Sequence, residues 1–141
     1  MYIDTAILVK LVVREPDSLH YAHIVDGKEL CTSELARTEC LAAMLRKERE
    51  RALDRPGRER AWKQVEADVA AGRLQVLPVT PEVLVASRRI LQACHPQVAL
   101  RSLDAIHLAS AEHLQSWPLC TNDARMREAA TLLGMALCPL P

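Results

Sequence analysis

The sequence has no phenylalanine and only four aromatic residues, which are Tyr2, Tyr21, Trp62 and Trp117. Proteins that hold single-stranded nucleic acid on a sheet or barrel stack its bases on exposed aromatic rings. Four rings in 141 residues argue against that mode of binding. If a nucleic acid is the substrate, we expect it to be held through its phosphates.

The chain also lacks an excess of charge of one sign. It has 18 lysines and arginines against 18 aspartates and glutamates, so its formal net charge is zero. Coating nucleic acid or an anionic membrane without specificity requires a broad positive field, which this composition does not supply. The segment 45–66 is dense in charge and net positive. We interpret it as a solvated helical arm with pairs spaced four residues apart, an RNA contact or partner surface being the alternative.

Long apolar runs and paired cysteine motifs are absent as well. No apolar run approaches the roughly 18 residues that a membrane span needs, and Asp4, Lys10 and Arg14 interrupt the N-terminal apolar stretch in a way that a signal peptide does not. The five cysteines form no C-x-x-C pair, which is typical of buried thiols in a reducing compartment. We therefore predict a soluble, cytoplasmic protein without a membrane segment.

Length and pattern predict a single domain over residues 1–141 with an α/β fold. Half of the residues are hydrophobic, which is enough for one sizeable core. Short strand-like runs alternate with longer Ala- and Leu-rich helical segments, as in parallel-sheet proteins. The predicted strands are 1–3, 29–32, 74–79, 118–121 and 135–138. The predicted helices are 5–14, 17–26, 33–53, 57–72, 81–94, 102–115 and 123–133, and Pro56-Gly57 is expected to break the long central pattern into two.

Four carboxylates stand where their surroundings are otherwise apolar. Asp4 ends the first strand, and Asp123 follows the fourth. Asp104 lies in the first turn of a helix that is apolar nearly all round, and Glu39 shares a helix face with small and apolar residues. An ionised carboxylate in such a position costs several kcal/mol unless something replaces its lost water.

The four acids are expected to meet in one cleft. Ligands of open parallel sheets collect beyond the carboxyl ends of the strands, where Asp4 and Asp123 stand. Several carboxylates together repel anions but suit a hard divalent cation such as Mg²⁺ or Mn²⁺, which takes oxygen ligands. A cation of this kind supports phosphoryl chemistry. Each acid alone has a structural alternative, since an aspartate at a strand end is often a helix cap.

At this point the sequence resembles a PIN domain, and within that family the VapC-type toxins of type II toxin–antitoxin pairs. The resemblance extends over essentially the whole chain and rests on four short motifs in the family's order. These are Tyr-Ile-Asp-Thr-Ala-Ile-Leu-Val at 2–9, the Ser-Glu-Leu-x-Arg-x-Glu helix at 33–45, the Asp-Ala-x-x-Leu helix at 102–108 and Thr-Asn-Asp at 121–123. Each motif is short, but their order and spacing together are specific.

The resemblance implies a three-layer α/β/α fold with a central, mainly parallel five-stranded sheet, and a metal-dependent endoribonuclease. Asp4, Glu39, Asp104 and Asp123 match the family's acidic quartet. Asp4 and Asp104 would be the main Mg²⁺ or Mn²⁺ ligands, with Glu39 and Asp123 binding directly or through water. The implied reaction is hydrolysis of an RNA phosphodiester by metal-activated water, leaving 5′-phosphate and 3′-hydroxyl ends.

Further residues and partners follow from the same resemblance. Thr5 and Thr121 match recurring hydroxyl residues that would orient carboxylates or a metal water, although Thr121 and Asn122 are also candidate helix caps. The candidate phosphate contacts are Arg14, Arg37, Arg125 and Arg127. A cognate VapB-like antitoxin and a homodimer are the expected protein partners.

Four other interpretations stay open to different degrees. A catalytically inert PIN-like module that binds RNA or protein is the main alternative, although all four acids are present. A DNA nuclease is also possible, because a metal site of this kind does not read a 2′-hydroxyl. A phosphoacceptor domain is disfavoured, because Asp4 has no acidic neighbour and Val79-Thr80-Pro81 follows the third strand. Histidine general-base catalysis is disfavoured too, so His20, His23, His107 and His113 are interpreted as packing or surface residues.

Overall fold

The computed structural model describes residues 1–141 and contains four strands and seven helices. In chain order these are β1 Tyr2–Ile3, α1 Thr5–Val12, α2 Ser18–Val25, β2 Leu30–Ser33, α3 Glu34–Arg49, α4 Arg55–Ala70, β3 Leu74–Leu77, α5 Pro81–Cys94, α6 Ser102–His113, β4 Leu119–Cys120 and α7 Ala124–Leu132. Every predicted helix is present, with ends shifted by a few residues.

The four strands form one sheet in the order β3-β2-β1-β4, and all neighbouring pairs are parallel. Successive side chains of a strand point to opposite faces. In β1, Tyr2 therefore joins one core and Ile3 the other. The core containing Tyr2 is built with α5, α6 and α7, whereas the core containing Ile3 is built with α1 to α4. The result is the expected three-layer α/β/α arrangement.

Local sequence signals explain where the helices around the sheet begin. Ser33, at the end of β2, accepts a hydrogen bond from the backbone N–H of Leu35 and caps α3. Asp54 caps α4 in the same way, through the N–H of Gly57 at 2.8 Å. Such caps satisfy backbone donors that have no partner inside the helix. The helices thus begin at fixed residues directly after strands or turns.

The prediction of a five-stranded sheet is wrong, because the sheet has four strands. The predicted fifth strand, 135–138, makes only one parallel bridge, between Leu119 and Leu137. Leu119 bonds to both sides of that bridge, donating to the carbonyl of Ala136 and accepting from the N–H of Cys138. The ladder does not continue, because the next acceptors, the carbonyls of Thr121 and Cys138, receive hydrogen bonds from Arg127 instead.

The break between α3 and α4 lies earlier than predicted. The chain leaves the helical conformation at Glu50 to Asp54, and Arg51 has a positive φ of 58°. Pro56 lies inside the first turn of α4, where its missing N–H costs no hydrogen bond. β3 ends at Leu77 rather than 79, because its partner β2 ends at Ser33, opposite Leu77, and α3 begins at Glu34. None of the seven helices has the length and apolarity that crossing a bilayer requires.

Candidate active site

The candidate site lies where the strand order reverses. From β1 the chain builds outward to β2 and β3, but it returns to place β4 on the other side of β1. The carboxyl ends of β1 and β4 are joined by a hydrogen bond of 3.1 Å from the N–H of Asp4 to the carbonyl of Cys120. A crevice at such a reversal is the usual ligand site of an open parallel sheet.

A cleft of about 710 Å³ opens at this position, and all four predicted acids line it. This size is within the range of ordinary small-ligand pockets. Asp4 reaches the cleft from the end of β1, Glu39 from α3, Asp104 from the first turn of α6 and Asp123 from the start of α7. The other lining residues include Thr5, Ala42, Ala43, Asn122 and Met126.

Asp4 is the most deeply buried of the four, with only 3% of its surface exposed. Its Oδ1 accepts from the N–H of Ile7 at 2.9 Å and caps α1, and its Oδ2 accepts from the hydroxyl of Thr121. Burial raises the pKa of Asp4, and the negative charge of Asp123 adds to the rise, against the opposing effect of the two hydrogen bonds. The hydrogen bonds to Asp4 therefore offset the cost of burying its charge only in part.

The negative charge of Asp123 acts on the carboxyl group of Asp104. Burial raises the pKa of Asp104, and the charge of Asp123 raises it further. Oδ2 of Asp104 is buried and has no hydrogen-bond partner, which is unusual for a buried polar atom. Asp123 uses Oδ1 to cap α7 through the N–H of Met126 at 2.9 Å. The cap of α7 is thus Asp123 itself rather than Thr121 or Asn122.

Glu39 has a different environment from the three aspartates. Its Oε2 accepts from the hydroxyl of Thr5 and lies 2.8 Å from Nε2 of His107. Burial raises the pKa of Glu39, but the hydrogen bonds from His107 and Thr5 outweigh burial, so its pKa is lowered overall. Both predicted hydroxyl residues, Thr5 and Thr121, thus donate to a carboxylate of the cleft.

His107 is the main residue of the site that the sequence interpretation missed. It is 3% exposed and lines the cleft, in contact with Glu39 and with Tyr2, whose hydroxyl lies 2.7 Å from Nδ1. The available signal was its spacing, because residues three apart share a helix face and His107 lies three after Asp104. His23 and His113 are exposed, and His20 is partly buried.

The donor set fits a hard divalent cation, although it is not pre-arranged around one. No group of three or more His, Cys, Asp or Glu side chains is positioned to hold a metal ion as the side chains stand. Asp104 nevertheless keeps a buried oxygen without a partner, and burial together with the negative charge of Asp123 raises the pKa of both Asp4 and Asp104. Such a site favours any cation that brings the carboxylates together.

The four predicted phosphate-binding arginines are not gathered at this cleft, since none of them lines it. Arg37 makes two bonds to Glu66 and one to Glu34. Arg127 donates to the carbonyls of Thr121 and Cys138 and so joins the C-terminal segment to the end of β4. Arg14 lines a separate groove beside α1 and α2, and Arg125 is exposed at the start of α7.

Five other basic residues line the cleft, and the sequence interpretation did not single them out. They are Lys10, Arg46, Lys47, Arg49 and Arg101. The two lysines are engaged, since both lie within 2.7 Å of a carboxylate oxygen of Glu15. The three arginines are exposed, and their only ion pair is the long 4.0 Å contact between Arg46 and Glu50. The acidic floor of the cleft therefore has a rim of available guanidinium groups.

Comparison with known proteins agrees with this architecture. The model of the PIN domain family matches residues 1–132. The chain is 36% identical over 140 residues to "Ribonuclease VapC46" of Mycobacterium tuberculosis, an alignment that covers 97% of this chain and 95% of that protein. It is 34% identical over 152 aligned positions to "Ribonuclease VapC35" of the same species, covering 97% and 94%.

Solved structures share the fold at much lower sequence identity. VapBC2 from Rickettsia felis, bound to a DNA fragment from its promoter, matches with a TM-score of 0.67 at 13% identity and covers 97% of this chain and 96% of that chain. FitAcB from Neisseria gonorrhoeae matches with a TM-score of 0.67 at 15% identity, covering 98% and 96%. With the family match and the mycobacterial relatives, the chain belongs to the PIN-domain family and, within it, to the VapC group.

Proposed function

We propose that the protein is a divalent-cation-dependent endoribonuclease and the toxin of a toxin–antitoxin pair. The observation that carries the proposal is the convergence of Asp4, Glu39, Asp104 and Asp123 on one cleft at the strand reversal. The relatives with 34–36% identity over nearly the whole chain are named ribonucleases, which supports the same activity here. We also propose that residues 1–141 form one PIN domain, because both cores pack on a single sheet.

Asp4 and Asp104 are the proposed main ligands of Mg²⁺ or Mn²⁺, and Glu39 and Asp123 complete the set. When bound, a divalent cation lowers the pKa of water and neutralises charge that builds up on a phosphate. Thr121 and Thr5 fix the carboxylates of Asp4 and Glu39 through their hydroxyl groups. The pKa of Asp104, raised by burial and by Asp123, means that its carboxylate is more readily protonated than an ordinary aspartate.

Arg46, Arg49 and Arg101 are the proposed contacts to the RNA backbone. They line the same cleft as the acids and carry charge that is not consumed by short ion pairs. Arginine presents a planar fork of donors that matches a phosphate. In this proposal they replace Arg37 and Arg127, whose guanidinium groups are bonded within the fold. Arg14 and Arg125 stay predicted contacts at the periphery.

Several partner assignments belong to this proposal. Two of the structural neighbours are VapBC2 and a toxin–antitoxin complex from Klebsiella pneumoniae. This supports a VapB-like antitoxin as the partner of this chain. We propose that the antitoxin covers the acid cleft and that the toxin itself is a homodimer. Cellular RNA in the cytoplasm is the proposed substrate.

Cleavage of single-stranded RNA by the purified protein tests the activity. We expect cleavage with Mg²⁺ or Mn²⁺, none in EDTA, and products with 5′-phosphate ends that a 5′-phosphate-dependent exonuclease degrades. Asp104→Asn is expected to abolish cleavage, whereas Glu128→Gln, which removes an exposed carboxylate outside the cleft, is expected to leave it unchanged.

Two outcomes of the same assay would replace the proposal by an alternative. Binding of RNA without cleavage under any cation would favour the inert binding module. Equal cleavage of a DNA oligonucleotide of the same sequence would favour a DNA nuclease.

A further inference from the structure

A line of three polar side chains connects the buried core to the cleft. The hydroxyl of Tyr2 lies 2.7 Å from Nδ1 of His107, and Nε2 of His107 lies 2.8 Å from Oε2 of Glu39. Tyr2 is fully buried and His107 is 3% exposed. The three residues come from β1, α6 and α3, so the contacts join both cores across the sheet.

The hydrogen bonds fit one tautomer of the histidine. Glu39 accepts hydrogen bonds when ionised and has no proton to give, so Nε2 of His107 carries the hydrogen and donates to Oε2. In the neutral imidazole Nδ1 then has a lone pair and accepts from the hydroxyl of Tyr2. Thr5 gives its own hydroxyl hydrogen to the same Oε2, which therefore receives two donors. Oε1 of Glu39 makes no hydrogen bond within the protein.

The tyrosine hydroxyl is not needed to fill the core. A phenylalanine would occupy nearly the same volume, and a buried hydroxyl is costly unless it is hydrogen-bonded. His107 is equally costly in an apolar core without partners for both ring nitrogens. The hydroxyl of Tyr2 and Nδ1 of His107 are hydrogen-bond partners, and the N–H at Nε2 of His107 is directed at Glu39.

We propose that Tyr2 and His107 are positioning residues that hold Glu39 in the orientation required for cation binding. The inference rests on the proposed function, because it assigns a task to Glu39 as a ligand. A glutamate has three flexible side-chain torsions, and two donors on Oε2 restrict them while Oε1 stays available. Partners behind metal ligands commonly act in this way.

Three variants of the full chain separate positioning from packing. His107→Leu replaces the ring by an apolar side chain that still fills the buried position, and it removes the donor to Glu39. His107→Gln keeps an N–H near the position of Nε2 and is the conservative rescue. Tyr2→Phe keeps the ring and removes only the hydroxyl that orients His107. Melting in EDTA shows whether each variant is folded, and Tyr2→Phe carries the test if His107→Leu is not.

The first readout is the Kd for Mn²⁺ by isothermal titration calorimetry. We expect His107→Leu to weaken Mn²⁺ binding by about 10- to 100-fold, His107→Gln to restore most of the affinity, and Tyr2→Phe to lie between them. In cleavage assays kcat is expected to fall while KM for RNA is unchanged, because the arginine rim is untouched. ¹⁵N NMR of the metal-free protein is expected to show a hydrogen on Nε2 of His107.

The outcomes distinguish this inference from the proposed function. If the wild type binds Mn²⁺ and cleaves RNA, but folded His107→Leu and Tyr2→Phe keep its Kd and kcat, the positioning role is overturned and the function stands. Absence of a hydrogen on Nε2 of His107 would also overturn it. If the wild type neither binds Mn²⁺ nor cleaves RNA, the proposed function fails and the inference fails with it.

Discussion

At the scale of single residues, two of the cleft carboxylates serve the fold as well as the site. From the sequence, helix cap and metal ligand were alternative interpretations of a strand-end aspartate. The structure shows that Asp4 caps α1 and Asp123 caps α7 while both line the cleft. Each cap uses Oδ1. Oδ2 of Asp123 is left for a ligand, and Oδ2 of Asp4, which accepts from Thr121, keeps a further lone pair.

This dual use gives different expectations for two substitutions of Asp4. Asp4→Asn keeps an oxygen for the N–H of Ile7 and removes a buried charge, so the free energy of unfolding without metal is expected to be equal or higher. Asp4→Ala removes the cap and is expected to cost about 1 kcal/mol. Both are expected to abolish cleavage. Urea denaturation in EDTA measures the difference, and equal destabilisation by both variants would show that the charge of Asp4 is itself stabilising.

Asp104 is expected to make stability depend on pH in a defined direction. Its pKa is raised by burial and by the charge of Asp123, against the weaker opposing effects of a backbone hydrogen bond from Arg101 and of the Arg101 charge. A raised pKa in the folded state means that Asp104 favours folding below its ordinary pKa, and that this contribution is lost as pH rises through the folded pKa. Without metal, Asp104→Asn should therefore melt above the wild type at neutral pH.

The difference in Tm between Asp104→Asn and the wild type is expected to shrink on acidification towards the ordinary aspartate pKa of about 3.9. Scanning calorimetry in EDTA across that range measures it. Glu39 has a lowered pKa and acts in the opposite direction at lower pH, but its contribution is common to both proteins. A difference that grows on acidification would contradict the account.

At the scale of elements, α7 and the C-terminal segment hold the end of β4 in place. Arg127 donates to the carbonyl of Thr121, directly after β4, and to that of Cys138. Thr121 in turn donates to Asp4. Arg127 thus stabilises the backbone of Thr121, whose hydroxyl donates to Asp4, and it also fixes the short C-terminal segment that was predicted as a fifth strand.

Arg127→Gln is expected to lower the free energy of unfolding by about 1.5–3 kcal/mol, because hydrogen bonds from a charged donor are lost. Arg125→Gln is the matched control, since Arg125 is exposed on the same helix, and we expect it to change stability by less than about 0.5 kcal/mol. Chemical denaturation compares the two. Unchanged stability of Arg127→Gln, with weaker RNA binding, would return Arg127 to the role of a phosphate contact.

The elements were largely predictable because their local signals agree with the fold. The seven segments predicted as helices are helical in the structure, and the acids that follow strands line one cleft where the strand order reverses. The absence of a fifth strand was not predictable, because whether residues 135–138 form a strand depends on pairing with Leu119 rather than on their own pattern. The role of His107 depends on contacts with Tyr2 and Glu39, which are 105 and 68 residues away in the chain. Long-range pairs of this kind are not visible in local periodicity.

At the scale of the whole molecule, a net charge of zero is compatible with a cleft that gathers charges of both signs. The four predicted acids and Glu15 line the cleft, and so do Arg46, Arg49 and Arg101, which make no short ion pairs. The composition argues against a broad positive field, but it carries no information about the local arrangement of charges. The guanidinium groups provide local attraction for a phosphate backbone next to carboxylates that would otherwise repel it.

The arginine rim predicts a specific salt dependence of RNA binding. For single-stranded RNA, the slope of log K against log salt is about −0.7 for each phosphate neutralised. In the inactive Asp104→Asn background, Arg46→Gln and Arg49→Gln together are therefore expected to reduce the slope by about 1.4. Arg88→Gln, an exposed arginine outside the cleft, is the control and should leave the slope unchanged. Equal effects of the two sets would place RNA elsewhere on the surface.

The central claim is that the carboxylates of the cleft form one cation site, and melting in EDTA and across a Mn²⁺ titration tests it most directly. A cation that binds only the folded state at 100 times its Kd adds about 2.7 kcal/mol of stability. We predict a saturable rise in Tm for the wild type and none for Asp104→Asn, which starts from an equal or higher Tm in EDTA. No rise in the wild type, or an equal rise in both proteins, would contradict the account.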